Sequence, residues 1–170
     1  MKKLLYVLPL VGILIFSSCD RDDSNQSEET IVKDAGFSIQ DAGWDYNYPI
    51  ATTTKELSLL MDDPKANIVR SEADFKRFVA SEPLLKKVFS DVELYKKVVG
   101  SMKFNERGLK TYSYEAVRKA YPNEFRRIIA AIGFGFGFDE TLGIDYDGKE
   151  CSSPATCTSK QSAICIGDNC

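Results

Sequence analysis

Through the middle of the chain apolar residues recur at three- and four-residue intervals, and this spacing predicts a set of short amphipathic helices. Thr54 caps a first helix that runs through Met61 and ends before Pro64. Ser71 with Asp74 three residues on is similar to a capping box, and Phe75, Phe78 and Val79 then share one face. Ser81 and Pro83 open the next helix, whose apolar stripe is Leu84, Leu85, Val88, Phe89, Val92, Tyr95, Val98 and Val99. Gly100 is its expected C-cap, and a second capping signature at Ser90 and Glu93 predicts a break within it. Residues 105–111 read as a turn or loop around Gly108. Ser113 caps a helix bearing Tyr114, Val117 and Tyr121. Pro122 breaks that helix and opens another, with Phe125, Ile128, Ile129 and Ile132 on one face and Gly133 at its end.

Elsewhere the pattern changes period. Residues 133–138 read GFGFGF, and strict alternation predicts an extended segment with Phe134, Phe136 and Phe138 on one side. The glycines leave the other side bare for close approach of another backbone. The expected role is a buried strand closing the core, in preference to a segment inserting into a membrane or partner. Asp147-Gly148 reads as a two-residue hairpin turn between residues 144–146 and the segment from Lys149. Near the front, Trp44, Tyr46 and Tyr48 alternate between Gly43 and Pro49. They suit an extended arm laid on the helices better than an exposed glycan- or peptide-binding stripe. The fold class expected is therefore mainly α: a small helical domain with a short β hairpin or extended segment and a cysteine-rich tail.

Composition narrows the chemistry. The chain has no histidine, which removes Ser-His-Asp and Cys-His catalysis and every His-ligated metal site. Its net charge of −3 argues against a nucleic-acid partner and against electrostatic adhesion to anionic lipid. The basic pairs Lys86-Lys87, Lys96-Lys97 and Arg126-Arg127 read as solvated backs of helices. Residues 139–150 carry Asp139, Glu140, Asp145, Asp147 and Glu150. Carboxylates are natural calcium ligands, but Gly148 stands too close to Asp145 for an EF-hand loop and no acid occupies the closing position. A pair of these acids working on a glycosidic bond is the weakest reading, since nothing places them in a cleft. GFGFGF lacks phosphate-loop spacing. No catalytic residue, metal ligand or cofactor is assigned.

The two ends speak to compartment. Lys2 and Lys3 precede an unbroken apolar run at residues 4–16, then Ser17, Ser18 and Cys19. The run is too short to span a bilayer and has the flanks of a signal peptide. This arrangement resembles the lipobox of bacterial lipoproteins, with Phe16 where that family usually has Leu or a smaller aliphatic residue. The resemblance implies that Cys19 becomes the first mature residue, with diacylglycerol on its sulfur and an acyl group such as palmitate on its amine. Several acyl chains, each contributing about 0.8 kcal/mol per buried CH₂, would anchor the protein permanently. Loss of Lys2 and Lys3 with the leader takes the charge from −3 to −5. Residues 20–30 (DRDDSNQSEET) are acidic and bury nothing, so they read as a disordered tether. Such a run also resembles the surface-export signals of Bacteroidetes lipoproteins, which implies the outer membrane and surface exposure, whereas in enterobacteria an Asp directly after the cysteine implies retention at the inner membrane.

Of five cysteines, four remain: Cys151, Cys157, Cys165 and Cys170. An even number in an exported chain predicts two disulfides, with all three pairings open. Each short loop would contribute about 2–3 kcal/mol of constraint. No C-x₂-C pair exists, which argues against a zinc ribbon and against thioredoxin-like redox chemistry. The tail is rich in Ser, Thr and Cys and reads as a stapled appendage held by cross-links. Its composition is similar to the core of a Cys-rich antimicrobial peptide, although no double-glycine site precedes it.

The organisation expected is thus a signal peptide (1–18), a lipidated tether (19–30), a small mainly helical domain (31–150) and a Cys-rich tail (151–170). The function expected is a membrane-anchored cell-envelope lipoprotein, a non-enzymatic binding or accessory module with a protein partner. The alternative is a surface-tethered, toxin-like or bacteriocin-like effector whose active part is the tail.

Overall fold

The computed structural model describes residues 48–170; the leader, Cys19, the acidic run and the aromatic positions Trp44 and Tyr46 lie outside the described residues. Among the described residues there are seven α-helices: α1 (Thr54–Asp62), α2 (Glu72–Ser81), α3 (Pro83–Val88), α4 (Val92–Ser101), α5 (Glu115–Ala120), α6 (Phe125–Gly135) and α7 (Glu140–Tyr146). Four strands accompany them: β1 (Lys103–Asn105), β2 (Gly108–Ser113), β3 (Asp147–Ser153) and β4 (Thr156–Cys165), with a 3₁₀ turn at Gly167–Asn169. The strands form one antiparallel sheet in the order β1-β2-β4-β3. This corrects the expectation of a mainly helical domain with a short hairpin. The fold mixes helices with a complete sheet, half of which is the tail expected to be an appendage.

Local sequence explains most helix ends. The Thr53 hydroxyl, one residue ahead of the expected cap, accepts from Glu56 N–H. Ser71 Oγ accepts from Asp74 N–H, and the Asp74 carboxylate reaches back to the Arg70 N–H at 3.2 Å, close to a capping-box geometry. The long stripe after Pro83 does break in two. The residue that restarts it is Asp91, which accepts from Glu93 and Leu94 N–H, and not Ser90. Gly100 lies inside α4, which continues to Ser101, so it is not the C-cap. The turn expected around Gly108 is a tight one at residues 106–107, between β1 and β2. Asn105 Oδ1 accepts from Arg107 and Gly108 N–H, and Gly108 at φ 130° starts β2.

The GFGFGF segment departs furthest from expectation. It is not a strand: α6 runs on through Phe134 and Gly135, and the chain then turns, with Phe136 N–H on Gly133 O and Gly137 at φ 85°. All three phenylalanines are buried nonetheless. A Cβ on Gly133 would stand 2.9 Å from the Phe138 ring, and one on Gly135 2.6 Å from the Phe78 ring. The bare face is closely approached, by aromatic rings and, at Gly133, by the Phe138 carbonyl oxygen at 3.0 Å. Past the helix, Gly135 O and Gly137 O accept from Val69 and Ala51 N–H, both at 2.7 Å, which stitches the connecting segments to the end of α6.

The core centres on Phe75. Its ring stacks on Phe136 (5.9 Å, 6°) and meets Phe89 edge-on at 6.0 Å. Phe136 in turn lies 6.3 Å from both Phe104 of β1 and Tyr112 of β2, so one aromatic cluster joins α2 to the sheet. Tyr48 packs edge-on against Phe78 at 5.1 Å, as an arm laid on the helices should.

Glu82, between α2 and α3, is 7% exposed and its Oε2 has no partner. Burial raises its pKa above the ordinary 4.5. A raised carboxyl pKa means that folding favours the protonated form. Its stabilising contribution is complete below the unfolded value and is lost as pH climbs through the raised one. Glu82→Gln is therefore expected to raise the thermal midpoint by a few degrees at pH 7, and the gain should vanish below pH 4.5 in melting curves recorded across that range.

Candidate functional site

The four tail cysteines form two bridges, Cys151–Cys170 and Cys157–Cys165. The second has an unexpected geometry, because both its cysteines lie on β4. Eight residues of extended strand span about 26 Å, yet the two Cα atoms are 6.0 Å apart. The strand therefore folds back on itself. Its first part pairs with β3 (Lys149↔Ser159 through Ser153↔Thr156), its last part pairs with β2 (Ser113↔Ala163, Thr111↔Cys165) and, at Ile164, with Asp147 of β3, and Ser162 between them adopts φ 58°. The hairpin turn lies at residues 154–155, with Ala155 at φ 55°. The expected turn at Asp147-Gly148 is corrected, because Ile144 and Tyr146 are helical and Asp147 already begins β3.

The fold-back places Ala163, Ile164, Cys165 and Ile166 in the core. It also helps to shape a small recess of about 50 Å³, open to solvent on one side, between α6, α7 and the start of β3. Phe125, Ile129, Phe138 and Ile164 give it apolar walls. Ile144 stands at its edge, 64% exposed.

Two polar groups of the recess engage each other. Tyr114 OH donates to Asp147 Oδ1 at 2.5 Å, and the same oxygen accepts from Gly148 N–H at 2.7 Å. Burial, then the hydrogen bond to Asp147 and its charge, push the Tyr114 phenol well above its ordinary pKa. It remains a protonated donor at neutral pH. The Tyr114 ring lies parallel to Phe125 at 6.2 Å, and the guanidinium carbons of Arg118 and Arg126 sit 5.8 and 5.6 Å from the Phe125 centroid. Two cations on one ring hold Phe125 in place.

The acids singled out in the sequence are spread over α7 and β3. Asp139 caps α7 through Leu142 N–H, Glu150 pairs with Lys160, and Asp145 is exposed on the helix. Among the described residues they gather into no metal-ligand group; the cluster that does is Cys151, Cys165 and Cys170, whose sulfurs lie within 4.8 Å of one another but are bound in disulfides. The basic pairs fall on helix backs: Lys86, Lys87 and Lys97 are exposed and Lys96 pairs with Glu93. Arg126, by contrast, belongs to the recess. The Tyr114–Asp147 contact joins residues 33 apart, and no local signal points to it.

No helix among the described residues is long and apolar enough to cross a membrane. Comparison with protein-family models, curated proteins and solved structures finds no match to this chain.

Proposed function

We propose that this chain is a lipid-anchored lipoprotein of the bacterial cell envelope, held by acyl groups on Cys19, whose folded domain is a non-enzymatic binding or accessory module. The observation that carries the binding reading is the recess beside Ile144. A small open hollow with apolar walls, an exposed isoleucine at its lip and a tyrosine–aspartate pair already made suits the insertion of an apolar side chain from a protein partner. Tyr114 and Asp147 satisfy each other, which fits a shaped surface better than a reacting centre. The outer membrane is the location that the leader and the acidic run suggest, and two disulfides fit an oxidising compartment. A released, toxin-like tail is disfavoured by the burial of Ala163 to Ile166, since those residues complete the core.

Two measurements test the proposal. Replacing Cys19 by Ser should move the protein from the membrane to the soluble fraction; unchanged fractionation would sink the anchor. A photo-cross-linker at position 144 should capture an envelope protein in intact cells. The same group at Leu59, similarly exposed (61%) but not part of the recess lining, should capture none. Ile129→Asp, which charges the recess wall, should abolish the cross-link. Equal capture at both positions would remove the recess from the argument.

A further inference from the structure

The geometry points to a thiol–disulfide exchange site in the C-terminal hairpin, in which an external dithiol opens the outer bridge and the freed thiolate carries the reduction to the inner bridge through Cys165. The sulfurs of Cys151, Cys165 and Cys170 lie within 4.8 Å of one another, although Cys165 belongs to the other bridge. Exchange proceeds by attack of a thiolate on a disulfide sulfur, and its rate depends on access and on how well the expelled sulfur bears charge.

The two bridges differ in both respects. Cys151 and Cys170 are only half-buried, so solvent reaches the outer bridge. In the inner bridge Cys165 is 0% exposed, while Cys157 is half-buried. Attack from solvent on Cys157 would have to expel a Cys165 thiolate between Ile164 and Ile166, where burial disfavours the charge. Attack from inside, on Cys165, expels Cys157 towards solvent instead. The neighbours placed to make that attack are Cys151 and Cys170.

The steps balance. One thiolate of the dithiol attacks Cys170, forms a mixed disulfide and releases Cys151 as thiolate. Cys151 attacks Cys165, forms a Cys151–Cys165 bond and releases Cys157. The second thiol of the dithiol displaces Cys170, which leaves as a thiol. The dithiol is oxidised to a disulfide, the protein gains two electrons, and Cys157 and Cys170 end as thiols. Initial attack on Cys151 gives the mirror product, with Cys165 joined to Cys170. Either way Cys165 stays bridged while Cys157 becomes free.

The test uses the full chain carrying Cys19→Ser, so that no other thiol competes. It is treated with limiting dithiothreitol, quenched with N-ethylmaleimide and mapped by mass spectrometry. The expected two-electron product carries alkylated Cys157 with Cys165 bridged to Cys151 or Cys170. Two-electron products containing native bridges only would overturn the inference. In a Cys151→Ser/Cys170→Ser variant that keeps its circular dichroism, the inner bridge should be reduced about tenfold more slowly than in the parent. Equal rates would overturn it as well. Where that variant loses its fold, the trapping experiment decides alone.

Discussion

Removing residues 151–170 is expected to unfold the domain, not merely to trim it. The deletion takes Ile164 and Ile166, each about 1% exposed, out of the core, at about 1.5–3 kcal/mol apiece. It takes two disulfides, typically worth about 2–4 kcal/mol each. It also strips β2 of its partner along Thr111 to Ser113, which opens Tyr112 to water. Those losses together match the whole stability of an ordinary domain, about 5–15 kcal/mol. The truncated chain should lose near-ultraviolet circular dichroism and its cooperative thermal transition. Ile164→Ala, a milder form of the same injury, should cost about 2–5 kcal/mol in denaturant unfolding while keeping the transition cooperative. A truncated chain that melts cooperatively near the parental temperature would mean that the tail is an appendage after all, and would restore the effector reading.

Gly135→Ala should destabilise the protein by about 1–3 kcal/mol, an overpacking cost, with Gly133→Ala in the same range. At Gly135 the new methyl would lie 2.6 Å from the Phe78 ring, and that ring is itself 1% exposed and held by Tyr48. At Gly133 the obstacle includes the Phe138 carbonyl oxygen at 3.0 Å, which is backbone and yields less readily. Gly100→Ala is the matched control. It lies in α4 with nothing within 4 Å of the added carbon, and should stabilise by about 0.5–1 kcal/mol. The opposed signs separate packing from helix propensity, since propensity alone favours alanine at all three positions. If all three substitutions stabilise in chemical denaturation, α6 does not make the close contacts described.

Much of the helical part was legible because its signals are local. Ser71, Pro83 and the apolar spacing of Phe75, Phe78, Leu85 and Val88 act within one or two turns, so the chain reveals them wherever it folds. The break after Val88 was visible too, although the competing caps Ser90 and Asp91 differ by one residue and only geometry separates them. The sheet was not legible. β1 has three residues, and β4 is mostly polar from Thr156 to Gln161 because that stretch largely faces water. Its apolar signal is confined to Ala163–Ile166, too short to show a period. GFGFGF misled for the opposite reason. Its alternation is perfect, yet tight packing of Phe78 and Phe138 on Gly135 and Gly133 outweighs the poor helix propensity of glycine.

The sequence by itself determined the Ser71 cap and the apolar faces of the helices, the absence of histidine chemistry, and the even set of four cysteines available to pair. Only the tertiary structure decided which cysteines pair, because β4 turns back at Ser162 and brings Cys157 to Cys165. It alone set Tyr114 against Asp147 and made the polar tail part of the core. The reason is range: caps and periodicity are energies between neighbours along the chain. Disulfide partners, strand register and the walls of a recess are set by contacts between residues far apart in sequence, whose energies are decided once the whole chain has closed.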